Sequence, residues 1–61
     1  MNLTIDKDDI VTINGKYLII PTLERRYRLE DKRWGLIAMF ESRAHAMLWV
    51  ENELKRQGHE V

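Results

Sequence analysis

Hydrophobic and polar positions in this chain fall into short alternating runs, followed by one run at helical spacing. Leu3 and Ile5 alternate with polar neighbours and predict a short first strand. The run Asp6-Lys7-Asp8-Asp9 then breaks the apolar pattern and reads as a solvated turn. It lacks the glycine and the distal glutamate that a calcium-binding loop places at fixed positions. Ile10-Val11-Thr12-Ile13 and Lys16-Tyr17-Leu18-Ile19-Ile20 flank Asn14-Gly15, two residues that tolerate positive φ. That pair predicts a hairpin over residues 10–20 with a two-residue turn. In that register Ile13 faces Lys16, Thr12 faces Tyr17, Val11 faces Leu18 and Ile10 faces Ile19. Val11, Ile13, Leu18 and Ile20 then share one face, and Ile10, Thr12, Tyr17 and Ile19 the other. With both faces apolar, either the second face meets another chain or residues 1–5 fold back over it.

Pro21 lacks an N–H and should end the central part of that strand. Beyond it Leu23, Arg25, Tyr27 and Leu29 alternate, which predicts a strand over about 24–29; Thr22 as the cap of a short helix is the alternative. Glu30-Asp31-Lys32-Arg33 reads as the polar turn into a strand over 34–40. There Trp34, Leu36, Ala38 and Phe40 point one way, and Gly35, Ile37, Met39 and Glu41 the other, with Gly35 a place for a bulge. Ser42 is placed to cap a helix over about 43–57 that stops at Gly58, with Lys55 and Arg56 in its last turn. Ala44, Met47, Val50 and Leu54 form its apolar side, widened by Leu48 and Ala46. Trp49 projects nearly opposite, among Ser42, His45, Asn52, Glu53 and Arg56. His59, Glu60 and Val61 read as a short tail. The expectation is one α+β domain over 1–61: a three- or four-stranded antiparallel sheet with one C-terminal helix packed on one face.

Length sharpens this picture. A chain of 61 residues buries only about 60% of its extended surface, so its core is thin. Cys is absent, which excludes disulfides and thiolate metal sites. Self-association is one way to complete such a core, and a homodimer or a larger protein partner is expected. Ten Lys and Arg balance ten Asp and Glu, so the charge gives no global pull toward nucleic acid or a membrane surface. The N-terminus lacks the basic start and apolar run of a signal peptide, and no stretch approaches the roughly 18 apolar residues of a membrane span. The expected location is the cytoplasm.

Candidate chemistry is sparse. The three glycines stand isolated, so no phosphate loop forms, and His45 and His59 are too far apart for a metal-binding helix pair. Ser42 beside His45 is the one candidate nucleophile pair, but a serine at a helix start already has a structural task. Glu41, Glu51 and Glu53 lack an evident cleft to shift them. A non-enzymatic protein is expected, with no cofactor, metal or small-molecule substrate. Its binding residues divide into two sets. Tyr17, Ile37, Met39 and above all Trp49 are candidates for a protein interface, because apolar groups on polar or second faces tend to anchor partners. Arg25, Arg26, Arg28, Lys32 and Arg33 outnumber Glu24, Glu30 and Asp31, with Tyr27 among them, and are candidates for gripping phosphates. The bland alternative is a solvated turn in a structural domain with no separable binding site.

The stretch Trp34-Gly35-Leu36-Ile37-Ala38-Met39-Phe40-Glu41-Ser42-Arg43-Ala44-His45-Ala46-Met47-Leu48-Trp49 resembles the close of AP2-like domains and of the arm-type DNA-binding domains of phage integrases. Those domains end in a strand, a Phe, a short cap, and a helix with small residues and an aromatic. The resemblance implies a three-stranded sheet that reads a major groove while the helix braces its back. It would put Arg25, Arg26, Arg28 and Lys32 on the DNA side, with Ser42, Ala46 and Trp49 at the cap, small and aromatic positions. Two features depart from the pattern: Ala44-His45-Ala46 replaces an acid and an alanine, and the final strand carries apolar Ile37 and Met39. Size and character are those of small accessory proteins of bacteria or their phages. Protein contact or self-association is the first expectation for function, and duplex DNA the second.

Overall fold

The computed structural model describes residues 2–58; Met1 and the tail residues His59, Glu60 and Val61 lie outside it. Its elements are β1 (Leu3–Ile5), β2 (Val11–Ile13), β3 (Tyr17–Pro21), β4 (Tyr27–Asp31), β5 (Gly35–Phe40) and α1 (Arg43–Arg56). All strands pair antiparallel with their sequence neighbours, in the order β1-β2-β3-β4-β5. The class and the C-terminal helix are those expected, but the sheet has five strands rather than three or four. The fifth is β1, which pairs Leu3 with Ile13 and Ile5 with Val11. Its start is tied to the next turn, where Asn2 N donates to Asn14 Oδ1 at 2.8 Å and Asn14 N donates to Asn2 O at 2.8 Å. Asp6 closes the connection to β2, its Oδ1 accepting from Asp8 N at 2.8 Å and Ile10 N at 3.1 Å. This segment therefore widens the sheet instead of covering a face.

Asn14 and Gly15 have φ of 53° and 64°, and Lys16 N donates to Ile13 O at 3.0 Å, as a mirror-image turn requires. The register, however, differs from the expected one. Ile13 pairs with Tyr17, Thr12 with Leu18 and Val11 with Ile19, leaving Lys16 as an extra residue. Its carbonyl is engaged elsewhere, accepting from Lys32 N at 2.9 Å. A one-residue shift reverses every side chain of the strand. Val11, Ile13, Tyr17 and Ile19 consequently lie buried on the helix side, and Leu18 and Ile20 on the open side.

The segment expected as strand from residue 24 is loop through Arg26. Thr22 ties it off: Thr22 N donates to Arg26 O at 2.9 Å, Arg26 N donates to Thr22 Oγ1 at 3.3 Å, and Arg25 takes φ 60°. Then β4 alternates cleanly, with Tyr27, Leu29 and Asp31 toward the helix and Arg28 and Glu30 away from it. Asp31 ends the strand, buried, and its Oδ1 accepts from Arg33 N at 2.7 Å and Trp34 N at 3.3 Å, which closes the turn into β5. Gly35 completes that turn at φ 87°, a value that L side chains rarely adopt. Along β5 the expected alternation fails once. Leu29 pairs with Ala38 but Glu30 with Leu36, so Ile37 is a bulged residue that packs against the core. Leu36 and Met39 thereby share the open face, across from Glu30 and Arg28.

Ser42 caps α1, its Oγ accepting from His45 N at 3.1 Å, and Gly58 follows the helix at φ 84°. The helix buries Ala46, Val50 and Leu54, with Met47 and Trp49 partly buried at the margins. Ala44 and Leu48, expected to pack, are exposed. The roll has a physical reason: an indole brought against the sheet removes far more apolar area from water than a methyl group does. The core is Val11, Ile13, Tyr17, Ile19, Leu29, Ala46, Val50 and Leu54.

This register predicts a sharp contrast between neighbours. Leu29→Ala should cost about 3 kcal/mol, whereas Leu36→Ala should change the isolated chain by less than about 0.5 kcal/mol. Urea unfolding at low protein concentration measures both, and equal losses would mean that the two faces have been exchanged.

Candidate functional site

The sheet has two unlike faces. Helix α1 crosses β3, β4 and β5 on one of them, running from Tyr27, whose ring lies 5.6 Å from the Arg43 guanidinium carbon, to Tyr17, whose hydroxyl accepts from Gln57 Nε2 at 3.3 Å. No element covers the other face among the described residues. Its side chains follow from the register as two rows. One row runs Thr12, Leu18, Glu30, Leu36; the other runs Ile20, Arg28, Met39. Leu36 is 53% exposed and Met39 42%, while Leu18 and Ile20 are half-buried by their neighbours. Arg28 and Glu30 form an ion pair in the middle of this apolar surround. The loops at the two ends of β4 add the most exposed large apolar groups, Leu23 at 104% and Trp34 at 81%.

The residues expected at a protein interface are not brought together. Tyr17 is a core residue, 2% exposed, because Lys16 reverses β3. Trp49 does not project away from the core; it is half-buried, edge-on to Tyr17 with ring centroids 6.2 Å apart. Ile37 is drawn to the core by the β5 bulge. Of the four, only Met39 stands on the open face. Sequence reasoning placed Leu18, Ile20 and Leu36 with core residues instead. A signal was available in Tyr27-Arg28-Leu29-Glu30-Asp31: charges on either side of Leu29 mark one face of β4 as uncovered. What faces Arg28 and Glu30 in β3 and β5 must share that surface.

The five basic residues are likewise dispersed. Arg25 and Arg26 lie in the β3–β4 loop, Lys32 and Arg33 in the β4–β5 turn at the opposite end. Residues 26 and 32 stand about 20 Å apart if the strand rise is continued between them. Arg28, between them, is paired with Glu30.

A polar network closes the C-terminal end of α1. Arg56 donates to both carboxylate oxygens of Glu53, and Gln57 Nε2 donates to Glu53 Oε1 at 3.1 Å. The Arg56 and Gln57 hydrogen bonds hold the Glu53 carboxyl below its ordinary value of 4.5, and the same pairing raises Arg56. Lys16 Nζ sits 5.2 Å from the Tyr17 ring centroid and 3.9 Å from Asp31 Oδ2. Ser42 Oγ, one half of the candidate nucleophile pair, is occupied with the His45 backbone. Among the described residues no cavity forms, no group of three His, Cys, Asp or Glu could hold a metal ion, and no helix is long and apolar enough to cross a membrane.

No protein family, curated protein or solved structure matches this chain.

Two outcomes follow from these placements. Trp49→Ala should lower stability by about 2 kcal/mol, less than a fully buried indole would, and leave the mass in solution unchanged. Thermal unfolding with light scattering reads both, and a changed mass with unaltered stability would return Trp49 to the surface. For Glu53, a depressed folded value means stability present above about pH 4.5 and lost as pH falls through the lower, folded value. Glu53→Gln should therefore remove part of the acid-induced loss seen in titrations of stability from about pH 6 to about pH 3. An identical acid profile would show that the network has no influence on folding.

Proposed function

We propose that this chain is a small non-enzymatic binding module that acts by burying the open face of its sheet against protein. The supporting observation is the uncovered face of β3, β4 and β5, where Leu18, Ile20, Leu36 and Met39 flank a single ion pair. A helix already satisfies the opposite face, so these side chains are surplus to the fold, two on β3 and two on β5 with Arg28 and Glu30 of β4 between them. Protein fits such a surface better than a phosphate backbone does. Duplex binding draws on many unpaired cations along one surface, whereas here the basic residues are split between two loops and the central arginine is paired.

An affinity capture from source cells, with and without nuclease, tests this reading. Protein should be retained after nuclease treatment by the unmodified chain and lost with Leu36→Lys combined with Met39→Lys. Capture that disappears with nuclease, or that survives both substitutions, would assign function to another surface. Salt-sensitive duplex binding weakened by Arg25→Ala, Arg26→Ala and Arg28→Ala would point to DNA instead.

A further inference from the structure

We propose that the occupant of the open face is a second copy of this chain, packed face to face about a two-fold axis that crosses the strands at Leu29. This rests on the reading of that face as the binding surface and adds the identity of the partner.

The open face is complementary to itself. The face carries one positive and one negative group, Arg28 and Glu30, on either side of Leu29 in the same strand. A two-fold axis lying between the sheets, perpendicular to the strands and level with Leu29, exchanges the two rows. Arg28 then lies over Glu30 of the second copy, and Glu30 over its Arg28, so four charges alternate in sign around the axis. The same operation sets Ile20 over Leu18 and Met39 over Leu36, apolar on apolar in both pairs. An interface of this kind is isologous: each contact occurs twice with its partners exchanged. A partner of uniform charge would leave one member of the ion pair opposed by its own sign, which costs free energy in a desolvated setting.

The loops agree with the same axis. It places the β4–β5 turn of one copy at the end occupied by the β3–β4 loop of the other. Trp34 and Leu23, the most exposed large apolar residues, thereby come to the same end of the assembly. Lys32 and Arg33 of that turn then lie at the end that holds Arg25, Arg26 and Glu24, four cations to one anion, a repulsion that salt screens and that the apolar contacts have to exceed.

Size sets the strength. Strands of three to six residues, at about 3.3 Å per residue and about 4.8 Å apart, present roughly 350 Å² in plan, so two copies bury on the order of 800 Å² of accessible surface. This is the low end for specific complexes, and the dimer is therefore reversible on dilution. The ion pairs contribute register more than affinity, because desolvating them offsets much of their attraction.

Charge-altered variants isolate the contact between copies. Arg28→Glu gives a face with two negative groups, and Glu30→Arg a face with two positive groups. Light scattering should show the unmodified chain doubling in mass as its concentration rises to about 1 mM, and each variant alone remaining a monomer. Mixing the two variants in equal amounts should restore the doubled mass, since every charge then meets its opposite. The like charges within each chain are unaffected by mixing, so recovery can come only from contact between chains. A monomer mass for the unmodified chain up to about 1 mM overturns the proposal, as does a mixture that stays monomeric while the unmodified chain dimerises. Either failure, alongside protein capture lost with the Leu36 and Met39 substitutions, would leave the open face as the binding surface with a different protein upon it.

Discussion

Lys16 is one residue more than the turn at Asn14-Gly15 needs, and the arrangement of the whole sheet depends on where that residue goes. It stands outside the pairing of β2 and β3, so Ile13 meets Tyr17 and the side chains of β3 are reversed from the simplest hairpin. Because neighbouring strands in a sheet share faces pair by pair, the choice propagates. Tyr17 and Ile19 turn toward the helix, Leu29 and Asp31 follow opposite them in β4, and Ala38 follows in β5. The extra residue is held by the Lys16 carbonyl accepting from Lys32 N, which links the β2–β3 turn to the β4–β5 turn. Two turns far apart in sequence thus act as one clamp at that end of the sheet.

Residues with strong local preferences were legible from the sequence. The Asn14-Gly15 turn, the Ser42 cap, the close of the helix at Gly58 and the alternation in β4 each rest on chemistry within a few residues. What could not be read were shifts whose causes lie across the fold. The place of Lys16 is settled by a hydrogen bond from residue 32, and the bulge at Ile37 by pairing with Leu29 and Glu30. Trp49 was misplaced because helical spacing alone ranks Ala44 and Leu48 with the core. Only the presence of Tyr17 opposite shows that rolling the helix toward the aromatic pair is the better burial. The candidate surface was partly visible for the same reason: Met39 was singled out, whereas Leu18, Ile20 and Leu36 needed the true register.

The division of labour between the faces follows from size. One helix of 14 residues is broad enough to seal β3, β4 and β5 and leaves Leu3 and Ile5 exposed at the β1 margin. The described residues include no second helix to lay on the far side, so apolar residues there remain in contact with water unless something else covers them. Polar groups compensate at the ends of the layer. Asp31 satisfies two backbone donors from within, and Glu53, Arg56 and Gln57 bind the helix terminus to the Tyr17 hydroxyl.

The bulge at Ile37 has a bearing on growth as well as on packing. An open sheet ends in two edges, and a long straight edge invites indefinite strand-by-strand stacking into fibres. Here β1 is only three residues long, and β5 is kinked partway along by its unmatched residue. Neither rim offers a regular template for polymerisation. Whatever the open face binds, the rims do not also extend the molecule sideways into a filament.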